Sequence, residues 1–127
     1  NGLCFSQDES WLYISDTERQ HIRVFEVLAG GRLGNGRLFA NLTGSKPGVA
    51  DGLKIDSEGN VYAAGPGGIH IFTAAGTCLG IVETPEIATN FVFGDEDLCS
   101  LYITATTSLY RLRVKVPGVA TYQPESS

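Results

Sequence analysis

The 127-residue chain has no methionine, one tryptophan and two histidines. Without Met it has no initiator residue. Because it starts directly at Asn1, it is expected to be a processed or excised piece of a longer protein. Long hydrophobic runs are missing: Ile103 is followed at once by Thr104, Thr106 and Thr107. A spanning helix needs about 20 consecutive apolar residues, so neither a transmembrane helix nor a membrane partner is expected. The sequence carries no targeting stretch, which leaves the compartment open, with the cytoplasm slightly favoured. Basic residues are few and scattered, nine Lys and Arg against fourteen Asp and Glu, for a net charge of −5. Phosphate backbones are held by clustered cations, so nucleic acid is not expected as a partner. Cys4, Cys78 and Cys99 are far apart and odd in number, and no CxxC occurs, which excludes a zinc knuckle by spacing. They are expected to be buried as small hydrophobes. A hydrophobic content of 43% excludes a disordered chain.

What the chain does have is a repeat. Asn1-Gly-Leu-Cys-Phe, Leu12-Tyr-Ile-Ser and Ile22-Arg-Val-Phe form one unit. Asp51-Gly-Leu-Lys-Ile, Val61-Tyr-Ala-Ala and Ile69-His-Ile-Phe form a second, and Asn90-Phe-Val-Phe, Leu101-Tyr-Ile-Thr and Leu109-Tyr-Arg-Leu a third. In each unit a Tyr follows the leading Asn or Asp by 12, 11 and 12 residues. The segments alternate like short strands and are separated by turn residues. Ser57-Glu-Gly-Asn turns at Gly59, Gly65-Pro-Gly-Gly breaks the next pair, and Ala75-Gly76 leads into Cys78-Leu-Gly-Ile-Val. In the first unit Gly30-Gly31 and Asn35-Gly36 are expected to bracket an outer hairpin ending at Leu42. Four antiparallel strands repeated at this interval predict an all-β chain forming a β-propeller. The expected blades are about 1–48, 49–86 and 87–114, with a C-terminal tail over 115–127. The third blade has no clear fourth strand. A sandwich is the structural alternative, but it gives no reason for the repeat register. Propellers close with about four to eight blades, so the ring needs either its remaining half or a second copy.

In a propeller, the residue opening each innermost strand sits at one mouth of the central channel. Asn1, Asp51 and Asn90 occupy that place in the repeat, each with a side-chain oxygen. Carboxylate and amide oxygens gathered at one depth suit a hard divalent cation. The plainer alternative is that each is a turn residue bonding to nearby backbone. Asn90 is followed by Phe91 rather than Gly, which weakens that alternative there.

These motifs resemble the gluconolactonase family, also called the senescence marker protein or regucalcin family. The resemblance runs from Asn1-Gly-Leu-Cys-Phe-Ser through Ala50-Asp-Gly-Leu-Lys-Ile-Asp-Ser-Glu-Gly-Asn-Val-Tyr and Ala88-Thr-Asn-Phe-Val-Phe-Gly to Leu101-Tyr-Ile-Thr-Ala-Thr-Thr-Ser-Leu-Tyr-Arg. It covers residues 1 to about 114 and is similar to the C-terminal half of a six-bladed ring. The resemblance implies hydrolysis of sugar-type lactones, with a small-molecule lactone as substrate. It also implies one divalent metal ion: calcium or zinc first, magnesium or manganese next. Asn1 and Asp51 match two of the family's metal ligands, and Asp51 is the candidate catalytic residue. Asn90 is implied as site-lining. The family's Glu ligand would lie upstream of Asn1. Ala50 stands where the family usually has Pro, and Asp95 follows Gly94 where a second Gly is usual. By themselves the 127 residues are expected to bind metal weakly and turn over nothing.

Two rival readings remain. A strictosidine synthase-like enzyme shares the architecture without metal ligands, and a propeller can serve as a binding scaffold without catalysis. His21 is expected in a solvated turn, His70 on a sheet face and Asp16 in an Asx turn. Ser6, Ser45 and Ser108 lack a nucleophile-elbow context, which leaves a Ser-His-Asp hydrolase without support.

Overall fold

A computed structural model describes residues 1–120. Eleven strands form three antiparallel sheets, each winding outward in chain order. The first sheet contains β1 (Leu3–Phe5), β2 (Trp11–Asp16), β3 (His21–Val27) and β4 (Leu33–Asn41). The second contains β5 (Leu53–Ile55), β6 (Val61–Gly65), β7 (Gly68–Phe72) and β8 (Cys78–Glu83). Among the described residues the third contains β9 (Ala88–Gly94), β10 (Ser100–Ala105) and β11 (Leu109–Arg113). The innermost strands β1, β5 and β9 pack against one another in sequence. These sheets are blades around a shared axis rather than two facing layers, and the fold is part of a β-propeller.

The period-2 pattern of the strands explains how the blades pack. Neighbouring residues point to opposite faces, so a blade between two others must be apolar on both. The middle blade meets this demand, and β6 is buried throughout as Val-Tyr-Ala-Ala-Gly. Val61 and Ala63 join Tyr13, Ile22, Val24, Phe39 and Phe72 in the core between the first two blades. Tyr62 and Ala64 join Ile69, Phe91, Phe93, Leu101 and Ile103 in the core between the last two. Each core holds an edge-to-face aromatic pair, Tyr13–Phe39 at 5.0 Å and Tyr62–Phe93 at 5.1 Å between centroids. The outer face of the first blade is less covered: Leu3 is 62% and Leu38 46% exposed.

Several local expectations need correction. Asn35-Gly36 is not a turn. β4 runs straight through it, because Phe25 lies flat over Gly36 and leaves no room for a Cβ there. The chain reverses earlier, at Ala29–Gly31, where Gly30 takes φ +78°. The cysteines are not all core residues, although Cys4 packs against the first core. Cys78 is exposed on the outer strand β8, while Cys4 and Cys99 are half-buried. The first residues of the C-terminal tail lie against the second and third blades. Ser57 N donates to Pro117 O at 2.8 Å, Gly118 N to Leu98 O at 2.9 Å, and Gly118 bridges Asp56. The remainder of the expected tail, 121–127, lies outside the described residues.

Among the described residues no helix is long and apolar enough to cross a membrane.

Candidate active site at the mouth of the inner strands

Asp51 lies between the end of the first blade and the start of β5, and its backbone is fully tied down. Gln20 Oε1 accepts from Ala50 N at 2.7 Å, and Thr17 Oγ1 donates to Ala50 O at 2.7 Å. Asp51 N donates to Ala64 O at 3.2 Å. The Ser15 hydroxyl donates to Asp51 O at 2.6 Å. Gly52 N reaches across to Thr89 O of the third blade at 3.0 Å, and Gly52 O accepts from Ala64 N at 2.9 Å. All six polar backbone groups of Ala50, Asp51 and Gly52 are thus bonded, to all three blades. Such a segment presents its side chain from a rigid base. Ala50, where the resembling family usually has Pro, uses its N–H here, and Gln20 supplies the acceptor.

Ser15 also brings Asn1 to this point. It is 1% exposed, and its hydroxyl accepts from Gly2 N at 2.6 Å while donating to Asp51 O. One hydroxyl therefore joins the peptides that follow Asn1 and Asp51. Gly2 needs its missing side chain, because a Cβ would overlap Asp51 O and stand 2.9 Å from Leu53 N. Gly52 repeats the arrangement one blade on, where a Cβ would overlap Asn90 Oδ1 and stand 3.0 Å from Asn90 Cα. The three leading residues are neighbours at one end of the inner strands. Ser15 was passed over in the sequence because nothing local separates it from any other strand-end serine; its two partners lie 13 and 36 residues away.

The ladder register separates Asn90 from the other two. Leu3 pairs with Ile14, Leu53 with Ala63 and Phe91 with Ile103, each partner following the repeated Tyr by one. Asn1 and Asp51 precede this rung by two residues, but Asn90 precedes it by one. A bulge between Thr104 and Ala105 takes up the difference and leaves Thr89 unpaired. Asn90 is therefore the ladder equivalent of Gly2 and Gly52. Its Oδ1 accepts from Phe91 N at 2.9 Å and faces Lys54 Nζ at 3.4 Å. By contrast, neither the Asp51 carboxylate nor the Asn1 amide has a side-chain hydrogen bond among the described residues, and Asp51 enters none of their ion pairs.

The other titratable residues sit away from this point. His21 does not lie in a solvated turn. It opens β3 with its side chain 13% exposed and its Nε2 buried, 3.7 Å from Asp16 Oδ2. Asp16 does close a local turn, accepting from Arg19 N at 3.0 Å, and Arg19 holds its carboxyl below the usual range. His70 is on a sheet face, 2% exposed, with Nε2 2.8 Å from Pro66 O. Asp56, also missed in the sequence, is fully buried; it accepts from Glu58 N, Asn60 N and Asn60 Nδ2 at 2.9 Å each and organises the β5–β6 turn. Among the described residues no three His, Cys, Asp or Glu side chains converge as a metal cluster. The donors available at the mouth are one carboxylate and amide oxygens.

Antiparallel blades radiating from adjacent inner strands define a class of protein, the β-propellers. The family model described as the SMP-30/Gluconolactonase/LRE-like region matches residues 1–107, and the chain belongs to that family. It is 34% identical over 127 aligned residues to a gluconolactonase of Zymomonas mobilis, covering 93% of this chain and 35% of that protein. It is 30% identical to a 6-deoxy-6-sulfogluconolactonase of Pseudomonas putida, covering 94% of this chain and 47% of the relative. The solved structure of a Xanthomonas campestris gluconolactonase superposes with a TM-score of 0.78 at 34% identity, over 92% of this chain and 37% of that one. The chain thus spans between a third and a half of the length of these relatives.

Proposed function

We propose that this chain supplies part of the active site of a sugar-lactone hydrolase, with Asp51 and Asn1 holding one divalent cation and Asn90 lining the site. The observation that carries this reading is the Asp51 carboxylate, unpaired among the described residues and fixed by six backbone hydrogen bonds beside Asn1. An unpaired carboxylate and an unpaired amide oxygen fit a hard divalent cation such as calcium. The remaining ligands come from the rest of the ring, or from a second copy. Relatives named as lactonases support the reaction class.

Hydrolysis joins a water oxygen to the lactone carbonyl carbon and breaks the ring C–O bond. The ring oxygen leaves as a hydroxyl, and proton loss gives the hydroxy-acid carboxylate. A bound divalent cation polarises a carbonyl and acidifies a coordinated water. Asp51 would be a ligand of that cation, and its carboxylate would also accept the water proton. Ser15, Gln20 and Thr17 fix the backbone from which that carboxylate projects.

The test is Asp51→Ala in the complete protein, with metal binding followed by calorimetry and lactone opening by acid release. Metal binding is expected to vanish and turnover to fall by about 10²-fold or more. Unchanged binding together with unchanged turnover removes the proposal. Turnover that ignores a chelator points instead to the metal-independent, strictosidine synthase-like alternative, and no turnover by the parent points to a scaffold.

A further inference from the structure

Lys54 follows Asp51 by three residues and pairs with Tyr62 across the β5–β6 ladder, so its side chain points toward the third blade. Its ammonium is 3.2 Å from Leu53 O, 3.4 Å from Asn90 Oδ1 and 5.7 Å from the centroid of the Phe91 ring. The side chain is half-buried and lines a groove of about 230 Å³ beside the inner strands, together with Cys4, Val92 and Phe93. Among the described residues no carboxylate pairs with it. Both of its hydrogen bonds are long, and an ammonium has three donors, so one is free. A cation held against apolar walls without a counter-charge loses solvation and gains little in return. Arg19, Lys46, Arg111 and Arg113 each meet a carboxylate, whereas Arg23 and Arg37 lie over the rings of Phe25 and Trp11.

Asn90 holds the ammonium against the start of the third blade. The Asn90 amide lies over Gly52 in space that any Cβ would fill. Its Oδ1 is anchored by Phe91 N and turned to Lys54. A single amide therefore contacts the residue next to Asp51 and the ammonium together. The neutral lactone gives Lys54 nothing to neutralise, whereas the opened product carries a carboxylate.

We infer that Lys54 binds the carboxylate formed when the lactone ring opens, with Asn90 as the residue that positions its ammonium. This rests on the lactonase reading and adds to it a group that distinguishes the anionic product from the neutral substrate. A charge-assisted hydrogen bond of this kind is worth about tenfold in affinity.

The experiment uses the complete protein and Lys54→Met, with folding checked by thermal unfolding. Three quantities are measured: KM for a neutral aldonolactone, inhibition by the corresponding hydroxy-acid anion, and inhibition by a neutral polyol of the same length. Inhibition by the anion is expected to weaken about tenfold. KM for the lactone and inhibition by the polyol should stay within about twofold, because neither ligand brings charge to the ammonium. Lys54→Arg should restore binding of the anion. If Lys54→Met does not fold, Lys54→Gln is read in the same way. Equal losses for anion and polyol, or no loss for either, overturn the inference while leaving the lactonase reading intact. Failure of the unmodified protein to open any lactone overturns both.

Discussion

Replacing Ser15 with Ala removes one oxygen from the join between the first two blades and changes little else. The side chain is 1% exposed, and Ala fits the space it leaves. Two backbone groups lose their partners, Gly2 N and Asp51 O, each bonded at 2.6 Å. A buried polar group left unpaired costs about 1–3 kcal/mol. Gly2 and Asp51 are half-buried, so water reaches part of the gap and the cost falls at the low end for each, about 2 kcal/mol in all. For a domain of this size that corresponds to a fall of roughly 8 °C in Tm. Urea titration followed by Trp11 fluorescence is a suitable assay, with an unchanged slope showing that only stability has moved. Ser6→Ala is the control. Ser6 Oγ also makes two bonds, accepting from Trp11 N at 3.0 Å and donating to Asp8 at 2.8 Å, but in the open. Its loss should stay within about 0.5 kcal/mol. A Ser15→Ala loss no larger than that of Ser6→Ala would refute the claim that this hydroxyl clamps the blades together.

Two further outcomes follow from the same contacts. Gly52→Ala places a Cβ on the Asn90 amide and should destabilise the fold by about 1–3 kcal/mol through overpacking, measured by the same titration. Acid should weaken the third blade. The Arg113 guanidinium, followed by Cys99 N–H, brings the Asp97 carboxyl down to about 2 from 3.8. The folded value is the lower one, so this contribution is complete above the unfolded value near 4 and is lost as pH falls through 2. Comparing Tm at pH 5 and pH 2.5, the drop should be smaller in Asp97→Asn than in the parent; an equal drop would show that Asp97 does not contribute.

The blade pattern was readable because its causes are local. A short apolar run marks Val61–Ala64 and alternation marks Ile69–Phe72 as strands, and Gly59 at φ +83° turns where Ser57-Glu-Gly-Asn predicts. Asp51 stood out through its repeat partner Asn1. The errors share a cause as well. Asn35-Gly36 has the composition of a turn, but a phenylalanine on the neighbouring strand needs the space above Gly36. His21 follows a polar loop, yet the fold buries its ring edge.

The amino-acid order by itself determined that short strands recur, where several of them turn, and that an oxygen-bearing side chain stands near the start of each repeat. Those features depend on steric preferences and hydrophobic period within a few residues. Only the tertiary structure decided that Ser15 joins Gly2 to Asp51, that a bulge at Thr89 moves Asn90 by one rung, and that Lys54 lies without a counter-charge beside it. These contacts lie within and between blades, between residues 13 to 36 apart in the chain, and no local preference encodes which side chain will face which across that distance.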